Sequence, residues 1–208
     1  MTYSQDFIDA HRDFNVGHDW WDSVYSDFHQ ICEILGIDLD KNEPSFSGFW
    51  SQGDGASWTG SYNATKLLRG YETAGTKHPT YDFAPQKIRE HAPKDEELHR
   101  IADELCLLAR VYFPTYIQVH RHNSHYVHSS TMYVETLELC VGGEWYADYH
   151  DHGIADEVLE HVNDTLQGLF RDLADWLYTT LETEYDYLTS DEAVIESLEA
   201  NEIEEDVN

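Results

Sequence analysis

The sequence predicts an α+β fold: an antiparallel sheet built from two hairpins, covered by helices, with a long acidic C-terminal helix. Three observations point there. Apolar residues recur at steps of three and four in three separate stretches. Two runs rich in aromatic and β-branched residues each flank turn-forming residues. The order is helix, hairpin, helix, hairpin, helix, which lacks the strand and helix alternation of a parallel sheet.

In the first stretch Trp21, Val24, Phe28, Ile31 and Leu35 share one helical face, and Gly36 follows as the expected C-cap. Phe46 to Trp50 and Ala56 to Tyr62 then flank Ser-Gln-Gly-Asp-Gly and read as a hairpin. A second helix is expected from about Lys94 to Val111, with Leu98, Ile101, Ala102, Leu105 and Leu108 inward and Pro114 ending it. Tyr116 to His122 and His125 to Leu139 read as the second hairpin around Asn123-Ser124. From about Ala155 the positions Leu159, Val162, Leu166, Leu169, Leu173 and Trp176 predict a long helix reaching towards Tyr187. Its stripe must bury against this chain's own sheet or against the same helix of a second copy, so a homodimer is one expectation. Residues 1–189 are expected to form one domain and 190–208 an acidic extension, a short helix with a frayed tail.

Charge is segregated along the chain. The 208 residues carry 41 Asp and Glu against 12 Lys and Arg, a formal net charge of -29. Residues 66–121 are nearly balanced, with 8 acids and 9 bases, whereas residues 122–208 carry 22 acids and 1 base. Such a surface repels nucleic acid and anionic membrane. With 13% aromatic residues the acidity belongs to a folded body, because disordered acidic chains lack apolar area to offset ordering entropy. No apolar run is long enough to span a bilayer and the first residues lack signal-peptide blocks, so the expected location is the cytoplasm of a bacterial host. Cys32, Cys106 and Cys140 are widely spaced and read as reduced packing residues.

Histidines crowd the second hairpin. With a two-residue turn at Asn123-Ser124, His122 would pair with His125, His120 would share their face and His128 would point away; His150 and His152 follow. Three imidazoles on one face suit a zinc ion, but no HExxH or deaminase pattern accompanies them, and the expectation is no metal and no cofactor. GxGxxG, GxxxxGK[ST] and GxSxG signatures are absent, so a non-enzymatic role is expected.

The segment Phe46-Ser-Gly-Phe-Trp-Ser-Gln-Gly-Asp-Gly-Ala-Ser-Trp-Thr-Gly60 resembles a family of small phage and prophage proteins that share an FWSQGDGA motif, some of them labelled antitoxin-like. The resemblance extends to the His-Tyr-Val-His of the second hairpin and implies a phage protein, without naming an activity. Acidic phage proteins include DNA mimics, and by that analogy of charge the expected function is to bind and inhibit a host DNA-binding enzyme. The carboxylates expected to imitate phosphates are Glu157, Glu160, Asp164, Asp172, Asp175, Glu182, Glu184, Asp186, Asp191 and Glu192, since helical spacings of three or four set carboxylates about 5–6 Å apart. Adaptation to a high-salt cytosol would produce the same composition, and a metal-binding or antitoxin-like protein using the histidine hairpin is the other alternative.

Overall fold

Helix α2, Asp22–Leu35, carries the first predicted stripe, and Phe28, Ile31 and Leu35 are buried along it. It stops at Gly36, whose φ of 78° suits a residue without a side chain. A Cβ there would also lie 2.8 Å from the backbone nitrogen of Leu67, so glycine is required for close approach as well as for conformation. The computed structural model describes residues 3–67, 83–112, 114–122, 127–141, 144–147 and 156–205, and its elements confirm the α+β class.

The main sheet follows from β1, Ile37–Leu39, which pairs with β4, Gly60–Tyr62. Strand β4 pairs in turn with β5, Pro114–Arg121, then β6, Met132–Val141, and β7, Glu144–Ala147, all antiparallel. Its order is β1-β4-β5-β6-β7 among the described residues. Two short strands, β2 at Ser45–Phe46 and β3 at Ala56–Ser57, form a separate ribbon. The first expected hairpin is therefore shorter than the sequence suggested. Ala56 to Tyr62 splits at Trp58-Thr59, and buried Trp58 precedes a strand that joins the larger sheet. Side-chain burial outweighed local pairing there.

Short helix α3, Ala64–Leu67, and α4, Phe83–His91, precede α5, Glu96–Tyr112. The α5 residues expected inward are buried, and Pro114 does end the helix by opening β5. Asp95 sets the start. One carboxylate oxygen accepts the Leu98 amide at 2.9 Å, an N-cap contact, and the other accepts the Trp176 indole N–H at 2.7 Å.

The long helix α6 spans Asp156–Leu188, 33 residues. Val162, Leu166, Leu169 and Leu173, four of the six stripe positions, are buried within this single chain, and Leu159 and Trp176 are half-buried. Phe170, between two members of the stripe, meets Trp58 and Tyr62 edge-on at centroid distances of 5.2 and 5.5 Å. Thr136 of β6 donates to Asn163 at 2.6 Å, and Arg171 donates to the Met132 carbonyl at 2.7 Å, tying α6 to strand β6.

The chain divides into two compact units, residues 28–178 and residues 1–27 with 179–208. The one boundary expected from the sequence, between residues 189 and 190, lies inside the smaller of these units. In the smaller unit α1, Gln5–Ala10, and α7, Asp191–Ala200, bury Ile8, Val194 and Leu198 together, with Tyr3, Phe7, Ile195 and Ile203 packed on them. Ser190 caps α7 by accepting the Ala193 amide at 3.2 Å. Up to Glu205 the expected frayed tail is instead attached: Tyr3 donates to the Ile203 carbonyl at 2.9 Å and the Ser4 amide to Glu205 at 2.8 Å. Apolar Ile203, in an otherwise acidic run, supplies the reason.

Candidate functional site

Charged groups on α6 sort by face. In the larger unit Glu157, Glu160, Asp164 and Asp175 are exposed, on the side away from buried Val162, Leu166 and Leu173. Asp172 is different. Arg100 of α5 reaches it at 2.5 Å and also holds Glu97 and Glu104, so this carboxylate is engaged in an ion-pair cluster. The same guanidinium keeps the Glu97 carboxyl below the ordinary range, chiefly through its hydrogen bond. In the smaller unit Asp186 and Glu192 are exposed and Glu182 and Glu184 half-buried, while Asp191 pairs with Arg12. Two of the ten expected carboxylates, Asp172 and Asp191, thus belong to ion pairs that hold helices in place.

The second region is the loop between β2 and β3, the Phe-Trp-Ser-Gln-Gly-Asp-Gly part of the motif. It is stitched at its base: Ser47 donates its backbone N–H to the Gly55 carbonyl at 3.0 Å and its hydroxyl to the Val127 carbonyl at 3.1 Å. Asp54 accepts the Ser51 amide at 2.8 Å and closes the tip. Gly55 lies against His128, where a Cβ would fall 2.8 Å from the imidazole Cδ2. Under the ribbon, Arg121 bridges Ser57 at 2.9 Å and Glu43 at 3.1 Å. The Glu43 side chain is 9% exposed, and burial pushes its carboxyl above the ordinary range despite the arginine.

At the tip stands Trp50, 72% exposed, with φ at 70°. Left-handed backbone costs a bulky L-residue free energy. The sequence placed Trp50 in an expected strand arm and missed this; Gly48 before it and Gly53 and Gly55 after it were the available signal. Phe49 beside it packs on Phe46 at 5.7 Å and on Tyr178 of α6 at 5.4 Å.

The histidine expectation needs correction. Arg121 pairs with Met132, and the His122 amide donates to the Thr131 carbonyl at 2.9 Å, so the β5–β6 connection is much longer than two residues and His122 faces Thr131 rather than His125. The cause is His128, whose ring accepts the Ser130 amide at 3.0 Å and opens a 3-10 turn at Ser129–Thr131 where a strand was expected. His120 and His122 do share a face, stacking on Tyr133 at 5.0 and 4.6 Å, with Glu135 3.4 Å from His120. His125, His150 and His152 lie outside the described residues. Among the described residues no three metal-ligating side chains converge. Cys32 and Cys106 are buried and unbridged, and burial pushes the Cys32 thiol up.

Fold and sites together define an acidic α+β protein with an exposed carboxylate face and a stitched aromatic loop. The chain belongs to the family described as Domain of unknown function (DUF8835), which matches residues 20–191. No curated protein and no solved structure matches it. Among the described residues no helix is long and apolar enough to cross a membrane.

Proposed function

We propose that the protein acts by binding: it presents carboxylates to a basic protein that otherwise binds DNA, and so inhibits that protein as a DNA mimic. The observation that carries this reading is the exposed series Glu157, Glu160 and Asp164 on α6, at steps of three and four, opposite buried Val162 and Leu166. Like charges so placed cost a few tenths of a kcal/mol each, so stability does not account for them. Their spacing of about 5–6 Å is comparable with that of phosphates along a strand. A phage origin would fit this role and stays part of the proposal. The histidine alternative has no such support, because the face it needed is not assembled from the described residues.

The test is competition. Immobilised protein should retain nucleic-acid-binding proteins from a lysate above an acidic control of matched charge, and duplex DNA should release them. Affinity should also fall steeply between about 50 and 200 mM salt, as fixed charges exchange for counterions. Retention that DNA leaves untouched would sink the mimic. A fold that collapses without molar salt would assign the acidity to solvent adaptation instead.

A further inference from the structure

Trp50 is the most exposed large apolar side chain among the described residues, and its backbone lies in the left-handed region that bulky residues avoid. Both properties work against stability, yet the loop around them is closed: Ser47, Asp54 and Gly55 join its base and tip through five hydrogen bonds. Phe49 beneath it packs against Tyr178. A strained, exposed and rigidly mounted aromatic is a mark of a contact point. The loop itself carries a carboxylate, Asp54, four residues after Trp50.

We infer that Trp50 is the anchor of a docking surface for an arginine-bearing segment of a protein partner, the indole face taking the guanidinium while neighbouring carboxylates supply charge. The occupant follows from complementarity. An indole face attracts cations, guanidinium above ammonium, and a chain of net charge -29 excludes the other common ligand of exposed aromatics, a stacked nucleobase on its phosphate chain. This inference rests on the acidic-surface reading and adds a specific contact to it.

The probes are fluorescent nona-arginine and nona-lysine peptides, titrated by anisotropy at about 0.1 M salt, where surface charge is only partly screened. Trp50→Gly should weaken nona-arginine binding by about fivefold and nona-lysine less. Its melting temperature should hold or rise, because glycine tolerates a φ of 70°. Trp50→Asn, also at ease in that region, repeats the measurement should the glycine variant misfold. Equal binding by wild type and these variants overturns the inference, as does a large fall in melting temperature, which would make Trp50 a packing residue. A triple variant, Glu157→Gln, Glu160→Gln and Asp164→Asn, separates the two ideas. If it binds like wild type while Trp50→Gly does not, the α6 face fails and the Trp50 anchor stands; the reverse pattern removes the anchor alone. No peptide binding by the wild type removes both.

Discussion

The two compact units solve the problem of acidity differently. The larger, residues 28–178, holds 24 acids against 11 bases and buries Trp58, Tyr62, Phe28 and Phe170. Its arginines are spent on named tasks: Arg100 gathers three carboxylates, Arg121 holds Glu43, and Arg171 ties α6 to β6. The smaller unit has 17 acids against Arg12 alone, and among its described residues Ile8, Val194 and Leu198 form a small apolar cluster with four partly buried neighbours. It leans on neutral hydrogen bonds, with Asn15 donating to the Leu188 and Ala193 carbonyls at 3.0 and 3.2 Å. A core can carry a high charge either by pairing it locally or by keeping it at the surface around small apolar contacts and amide donors.

The largest expected effect lies in the larger unit. Phe170→Ala removes the ring between Trp58 and Tyr62 and should cost about 3–5 kcal/mol in chemical denaturation; a loss under about 1 kcal/mol would show that the aromatic set is not its core. Salt sharpens the contrast next. Moving from about 0.05 to about 0.5 M NaCl should slow amide exchange in α1 and α7 several-fold and in α5 far less, because screening acts most where a single base faces many acids. Equal protection in both units would break the comparison.

A smaller effect is expected from Ser190→Ala, which removes the N-cap of α7 and should destabilise that helix by about 1 kcal/mol, read as faster exchange at Ala193 and Val194. The smallest concerns pH and runs in opposite senses. Burial raises the Glu43 carboxyl, so its contribution favours the folded state at low pH and is lost as pH rises through its folded value. Hydrogen bonds from Gln5 and then Arg12 lower Asp9, and Ser4 lowers Glu205. Their contributions are present above the ordinary carboxylate range and are lost as pH falls through the folded values. Carboxyl titration by carbon-detected NMR should place Glu43 above ordinary glutamate and Asp9 and Glu205 below their ordinary values; the opposite order would refute the assignments.

Periodicity made the helices legible, because α2, α5 and α6 each bury a stripe that leaves a clear three-four rhythm in residues such as Phe28, Leu105 and Leu166. The strands were harder. Trp58 looks like part of one hairpin arm, and only its burial against Phe170 decides that the chain leaves the ribbon there. The long β5–β6 connection was hidden because His128 acts through a side-chain cap, which strand propensity does not register. Among the acids, Asp172 and Asp191 look like their neighbours in sequence; Arg100 and Arg12, 72 and 179 positions away, distinguish them. Trp50 was legible as an aromatic but not as an exposed one, since exposure depends on stitches to Val127 across the fold.

Asp95 shows that the carboxylates of this chain are not interchangeable. One oxygen sits over the first turn of α5 and the other takes the indole hydrogen of Trp176, at 2.9 and 2.7 Å. A single methylene decides whether both can be reached, because glutamate would carry the group about 1.5 Å farther from its backbone. Asparagine keeps the length but has one acceptor oxygen for two donors. Drift among the surface acids can swap Asp for Glu at little cost, while this position tolerates neither substitute. In a sequence crowded with negative charge, the acid that positions two helices can be recognised by its intolerance of the most conservative exchange.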